Sequence, residues 1–193
     1  MQLAIAICEK NITGTCALVA ITNMFIYYEY IGFDNALLYD SVEYTFDRAL
    51  TEINWLEWSD SNWWRNTVSG LKSMASKAGY DYKINQYNNL KWNDVTSSID
   101  SDMPIFTYIY AEQTDGYEFA HAVVTVGYEE FIHKYTTTEQ YWLFGWKEKT
   151  VEHEDMYRYL RVVDGWSSSN DSRYIDFNGF FTTVKGIAFM LEE

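Results

Sequence analysis

Cysteine is scarce in this chain, and long apolar runs are absent; each scarcity excludes a class of protein. The two cysteines, Cys8 and Cys16, are too few for a disulfide framework or a zinc site, and their spacing matches no standard metal motif. No stretch approaches the roughly 20 apolar residues that cross a bilayer as a helix, so we predict no membrane span. Residues 3–8 are apolar but too short for a signal peptide and lack a basic start. A mature fragment of a secreted protein would look the same, and we favour an extracellular location over the cytoplasm.

Basic residues are also few. The chain has 14 lysines and arginines against 28 aspartates and glutamates, which gives a net charge of −14. Nothing resembling a basic stripe is present, so nucleic acid and anionic membranes are unsuitable partners. The residue types imply no metal and no organic cofactor. A decoy that mimics nucleic acid is one interpretation of the acidity, although only the charge suggests it.

Aromatic residues are abundant instead. They make up 19% of the 193 residues, with eight Trp and 17 Tyr, and hydrophobic residues reach 48%. This composition is typical of a folded globule with a rigid aromatic core, and it favours an aromatic-lined cleft. The length fits one domain over residues 1–193, mainly helical over 1–100 and mainly strands over 101–193. No internal repeat, linker or low-complexity run divides it.

The central element of the first half is a helix that follows Thr13-Gly14-Thr15 and is apolar on nearly every side, as buried helices are. It is expected to end near Gly32. Asp40, with Glu43 three residues later, predicts a capped start for the next helix. Helical periodicity and strand-like alternation predict further elements, namely helices over 42–56, 64–78 and 92–99 and a strand over 80–87.

The pattern changes at Pro104, the only proline. Residues 129–158 are predicted to form a hairpin insertion around 141–146, with charged flanks. Helices first and strands second predict an α+β fold with an antiparallel sheet or a half-barrel. Beyond Pro104, β-branched and aromatic residues predict strands over 105–110, 120–127, 159–163, 173–177 and 186–191.

Cys16 lies in the first turn of the predicted central helix. Unpaired amides and the positive end of the helix dipole favour a thiolate there. A nucleophilic thiolate needs a base, and His121 has a suitable place, since it starts an apolar strand. His133 and His153 lie among charged residues, where exposed histidines are expected. The alternatives are that Cys16 is a small core hydrophobe and that His121 is a hydrogen-bonded core residue.

A third candidate is Asp164, which stands at the end of a predicted strand and before Gly165-Trp166. An acidic side chain at this position is able to orient an imidazole, and Trp166 is able to cover the contact as an apolar lid. The alternative is an ordinary strand-to-turn exit, because Asp-Gly is a common turn dipeptide.

Together these segments resemble the papain-like cysteine peptidases, nearest the bacterial streptopain-like and double-glycine leader-peptidase-like branches. Gly14-Thr15-Cys16 with its apolar helix resembles the nucleophile helix of that family. Asp164-Gly165-Trp166 resembles the family's Asn/Asp-Ser/Gly-Trp step. The family's histidine segment is resembled by Met103-Pro104-Ile105, Ala120-His121-Ala122-Val123-Val124 and Gly127-Tyr128. The likeness covers roughly residues 1–30 and 90–192.

The resemblance implies a papain-like fold and a cysteine peptidase that acts on a peptide or protein substrate. Cys16 would attack the carbonyl carbon, His121 would act as base and acid, and Asp164 would orient His121. Trp166 would shield that contact from water. The backbone N–H of Cys16 and the side chain of Asn11 would form the oxyanion hole. Deamidation or transpeptidation would use the same triad, and the oligomeric state is not indicated.

Two residues depart from the family's pattern. Ala17 stands where the family usually has glycine. Lys10 stands where it usually has a glutamine oxyanion donor, so that role passes to Asn11. Loss of one such donor typically lowers the rate by about 10²–10³. These departures support an alternative function, that of a catalytically inactive papain-like domain that binds proteins.

Overall fold

The computed structural model describes residues 16–53, 63–112, 118–163, 173–179, 181 and 183–192. Four α-helices and six strands lie in these residues, and the predicted α+β class is confirmed. The helices are α1 (Cys16–Tyr30), α2 (Val42–Glu52), α3 (Trp63–Ala78) and α4 (Trp92–Ile99). The strands are β1 (Asp81–Tyr87), β2 (Ile105–Glu112), β3 (Glu118–Trp142), β4 (Trp146–Val163), β5 (Arg173–Asp176) and β6 (Thr183–Glu192).

The six strands form one antiparallel sheet in the order β1-β6-β2-β3-β4-β5. β1 belongs to the mainly helical first half of the chain, yet it pairs with β6 at one edge of the sheet. β5 forms the other edge through its pairing with β4. Of the two predicted forms, the described strands therefore adopt the open sheet and not the half-barrel.

α1 is the most enclosed helix, because nearly all of its residues are buried. It packs against β3 and α2. At its far end the hydroxyl of Tyr28 donates a hydrogen bond to the carbonyl of Phe189 in β6. The predicted end near Gly32 is confirmed, since Gly32 has a φ of +104° that glycine adopts without strain.

The sheet separates two hydrophobic clusters. Ala122 and Val124 of β3 belong to the cluster that α1, α2 and α3 cover. Val123, which lies between them in the strand, belongs to the cluster on the other face, together with Ile109 of β2 and Val95 of α4. Because successive strand residues point to opposite faces, this division fixes which side of β3 faces the helices.

The predicted cap of α2 was wrong by one residue. Ser41 is the N-cap, and its hydroxyl accepts a hydrogen bond from the N–H of Tyr44 at 3.2 Å. Asp40 instead ends a short 3₁₀ turn and has a φ of +53°. An N-cap residue needs an extended backbone, and Ser41 has one, with a φ of −127°.

β3 and β4 form the predicted hairpin, which is confirmed by pairing that continues to Trp142 and Trp146. The register shifts between Thr125 and Gly127, which marks a β-bulge in β3. Such a bulge bends the strand and increases its local twist. Among the described residues, no helix has the length and apolarity to cross a membrane.

Glu52 joins α2 to α3. Its carboxylate pairs with the ammonium group of Lys77 and accepts a hydrogen bond from the hydroxyl of Ser73 at 2.6 Å. Lys77 has the larger effect, and together the two contacts hold the pKa of Glu52 below its ordinary value. The side chain of Glu52 is only 16% exposed, so the pair is partly protected from screening by salt.

We expect Glu52→Gln to lower the free energy of unfolding by about 1 kcal/mol at neutral pH, because glutamine keeps the shape but loses the charge. The pKa of Glu52 is lower in the folded than in the unfolded state. Its stabilisation is therefore complete above the unfolded pKa of about 4.3 and is lost as the pH falls through the folded value. Urea unfolding of both proteins across this pH range measures the effect.

Lys77→Gln and the double variant complete a thermodynamic cycle for this pair. The coupling free energy between the two positions should vanish in acid, where Glu52 is protonated. A coupling that stays constant down to acid pH would show that the charge of Glu52 is not the source of the stabilisation.

Candidate active site

Cys16 is the first residue of α1, and its side chain is half-buried. The next two residues, Ala17 and Leu18, are fully buried. The sulfur therefore lies where the enclosed helix meets the edge of the core. At a helix N-terminus the first backbone N–H groups have no partner within the helix, so they are available to a side chain or a ligand.

Two opposed effects act on the thiol. Burial raises the pKa of Cys16, and this effect is the larger one. Hydrogen bonds from the backbone N–H groups of Ala122, Ala17 and Cys16 itself lower the pKa. The result is a pKa above the ordinary value for a thiol, because removing a thiolate from water costs more than these amides restore. The helix terminus thus favours the thiolate as the sequence indicated, but desolvation outweighs it.

The contact with Ala122 connects the two predicted catalytic segments. Ala122 belongs to β3 and follows His121 directly, so its amide nitrogen is bonded to the carbonyl carbon of His121. The backbone of His121 therefore lies beside the Cys16 sulfur. His121 itself is buried, with 5% of its surface exposed. The structure brings together the helix terminus and the strand segment that the sequence pattern singled out.

The imidazole of His121 leaves β3 on the face opposite to α1. Ala122 faces the helical cluster, and Val123 faces the other one, so alternation assigns His121 to the side of Val123 and Ile109. His121 and Ile109 are register partners on neighbouring strands. An approach of the ring to the sulfur consequently has to pass around the edge of β3.

On the side away from β2, β3 pairs with β4. The described part of this ladder begins at the pair Val124 and Val163, and the described residues of β4 end there. Asp164 follows Val163 directly in the sequence. Asp164, Trp166 and Asn11 themselves lie outside the described residues.

An aromatic wall stands next to this segment, and sequence reasoning did not identify its members. Tyr108 of β2 is the register partner of both Ala122 and Lys185. The ring of Trp63 packs on Tyr108 with centroids 4.6 Å apart. The ammonium group of Lys185 lies 5.5 Å from the ring of Trp63 and 5.8 Å from that of Trp64. The sequence predicted the strand that carries Tyr108, but only the register of β2 and β3 places this residue beside Ala122.

The other two histidines lie far along the hairpin, as predicted from their charged surroundings. His133 is exposed, and its ring stacks on Tyr135 with centroids 5.2 Å apart. His153 stacks on the other side of Tyr135 at 4.9 Å and hydrogen-bonds to Thr137. Within the described residues, no group of three or more His, Cys, Asp or Glu side chains is placed to hold a metal ion.

Comparison with known proteins assigns no family to this arrangement. No protein-family model matches the chain, and no curated protein matches it either. The site consists of a half-buried thiol at a helix terminus, three amide donors and a neighbouring buried histidine.

We expect Cys16 in a His121→Ala variant to be alkylated by iodoacetamide only at high pH, with an apparent pKa above the ordinary thiol value of about 8.5. In that variant only burial and the amide donors shift the pKa of the thiol, and burial, which raises the pKa, has the larger effect. Mass spectrometry of peptides separates Cys16 from Cys8. Unfolding in urea should return the profile to the ordinary value, and a folded variant that already reacts like a free thiol would contradict the effect of burial.

Proposed function

We propose that this protein is a cysteine peptidase of papain-like architecture, or a related hydrolase that acts by thiol acyl transfer. The observation that carries the proposal is the position of the Ala122 backbone amide beside the sulfur of Cys16, where it lowers the pKa of the thiol. It supports a nucleophile at the start of a buried helix and a base one residue away along the facing strand. The order of Cys16, His121 and Asp164 along the chain supports the same triad.

In the proposed mechanism His121 accepts the thiol proton, and the sulfur of Cys16 forms a bond to the substrate's carbonyl carbon. The negative charge on the carbonyl oxygen is stabilised by the Cys16 N–H and the side chain of Asn11. The C–N bond then breaks, and the amine leaves with the proton from His121. Water hydrolyses the thioester with His121 as base, which releases the acid and restores the thiol. Asp164 orients the imidazole, and Trp166 excludes water from their contact.

Because the pKa of Cys16 is raised, the proposed mechanism needs the imidazole of His121 to stabilise the thiolate. A partly desolvated thiolate is stable only when an opposite charge is close. Because the amides do not compensate for burial, the positive charge of an imidazolium must supply the remaining stabilisation of the thiolate. The ring of His121 starts on the other face of β3 and has to reach the sulfur around the edge of that strand. The proposal thus requires that the ring be held at that edge, which is the role assigned to Asp164.

The aromatic wall supports a preference in the substrate. Tyr108 and Trp63 present two tilted aromatic rings in contact beside the Ala122 segment, while Lys185 adds a positive charge over the indole rings. Aromatic walls of this kind bind flat or apolar side chains by area burial and ring contacts. We infer that the substrate carries an apolar or aromatic side chain close to the bond that is cleaved.

We expect Cys16 of the unaltered protein to be alkylated well below pH 8.5, and His121→Ala to move that profile upward by at least about one pH unit. His133→Ala is the matched control, because His133 is an exposed histidine on the hairpin, and it should leave the profile unchanged. If the unaltered protein and His121→Ala give the same profile, no ion pair exists and the peptidase proposal fails.

We also expect hydrolysis of a random peptide mixture, with cleavage sites read by mass spectrometry. Cys16→Ala should reduce the rate by at least about 10³, since the nucleophile is removed. Cys8→Ser is the matched control and should leave the rate within about twofold. Cleavage that survives Cys16→Ala would assign the activity to another group.

The raised pKa of Cys16 specifically favours a second candidate, a catalytically inactive papain-like domain that binds proteins. In that case the thiol stays protonated at neutral pH and serves as a small buried side chain. Identical alkylation profiles with and without His121 would support this function over the first.

A further inference from the structure

The hairpin of β3 and β4 continues far beyond the sheet. The last strand beside it, β5, pairs with β4 only at residues 159–162. From His133 and Asp155 onward to Trp142 and Trp146, the two strands pair with each other alone among the described residues. We call residues 133–155 the arm. At about 3.3 Å per residue its length is about 30 Å.

The end of the arm, residues 141–147, is apolar and exposed; we call it the tip. Phe144 is 94% exposed, Trp146 73%, Trp142 66% and Leu143 55%. Trp142 and Trp146 are register partners across the turn. Exposed apolar residues gathered in one place mark an interaction site, whereas single ones are ordinary.

The backbone of the turn holds the tip in an outward conformation. Phe144 has a φ of +51° and Gly145 one of +120°. A left-handed backbone is unfavourable for phenylalanine, so it persists only where the local structure imposes it. The N–H of Leu143 donates to the carbonyl of Gly145 at 2.9 Å, which satisfies part of the turn's backbone internally. The backbone of the turn therefore holds the side chain of Phe144 in an exposed position.

The middle of the arm, residues 136–140 and 148–152, is polar; we call it the stalk. Its paired positions from Thr136 to Gln140 face residues 148–152, and Val151 is the single aliphatic residue among them. The stalk separates the apolar surface of the tip from the exposed apolar side chains at the base of the hairpin, which include Phe131 and Ile132. A protein that docked side-on at the stalk would meet a polar surface.

The shape of the tip also bears on its partner. A convex apolar end on a polar stalk suits insertion, end-on, into a deformable medium.

The charges of the tip point to a lipid surface of one kind. The tip carries Lys147 and no acidic residue, although the chain as a whole has a net charge of −14. The nearest acidic side chain on β4, Glu148, accepts a hydrogen bond from Gln140 at 3.0 Å. Trp, Tyr and Lys are the residues that gather at the headgroup level of bilayers. The acidic remainder of the protein would be repelled by anionic lipids, so zwitterionic headgroups match better.

We propose that the tip inserts Trp142, Leu143, Phe144 and Trp146 into the interfacial layer of a zwitterionic lipid bilayer and so attaches the protein peripherally. Interfacial binding of this kind depends on buried apolar area and does not require a span. The proposal is independent of the peptidase chemistry, because it uses none of the residues of that site.

The test is flotation of the full chain with phosphatidylcholine vesicles. Leu143→Ser/Phe144→Ser should weaken vesicle binding by about tenfold or more, since it removes most of the leading apolar surface. Ile132→Ser is the matched control, because Ile132 is 50% exposed but lies at the base of the arm, and it should change binding by less than about twofold. All these side chains are exposed, so circular dichroism of the variants should match the unaltered protein.

A second measurement locates the contact. Vesicles should shift the tryptophan fluorescence of the unaltered protein to the blue, and Trp142→Phe/Trp146→Phe should bind vesicles but lose most of that shift. Several results would overturn the proposal: absence of binding to phosphatidylcholine, binding that the serine variants leave unchanged, or binding to anionic vesicles alone. A change of oligomeric state caused by the tip variants without lipid would assign the tip to self-association instead.

Discussion

The enclosure of α1 is the constraint on which the rest of the structure depends. A helix that is apolar on every side cannot leave one face to water, so it needs a neighbour in each direction. β3 and α2 provide two of them, and β6 closes the far end through the hydroxyl of Tyr28. The open sheet serves the same need, because one of its faces forms the floor of the helical cluster. The strand that carries Ala122 is thereby pressed against the beginning of the helix, where Cys16 stands.

The enclosure that organises the core also opposes the chemistry at its edge. A sulfur near a packed helix terminus gains amide donors from α1 and from Ala122, and it loses water at the same time. Burial is the stronger effect, so the protein alone keeps the thiol protonated until a positive charge approaches. The proposed chemistry consequently depends on a single ring, that of His121, which leaves β3 on the face opposite to α1 and has to reach the sulfur from there.

Features that depend on local periodicity were predictable from the sequence, and features that depend on register were not. α4 occupies its expected residues because a short amphipathic segment is bounded by turns on both sides, and the hairpin turns where it was predicted, around 141–146 between charged flanks. The cap of α2 moved from Asp40 to Ser41 because capping depends on backbone angles that a residue type does not determine. The pairing of β1 with β6 and the position of Tyr108 opposite Ala122 are contacts between segments that are distant in sequence. Local patterns do not determine which strands become neighbours.

The bulge in β3 has a mechanical consequence. One continuous strand carries both the segment beside Cys16 and the far end of the hairpin, so any load applied to that end acts on a long lever. The interruption of register between Thr125 and Gly127 lies between the two, and a bulge of this kind bends the strand and increases its local twist. The bulge therefore sets the direction in which the lever leaves the sheet, while the ladder that ties His121 and Ala122 to β2 stays regular.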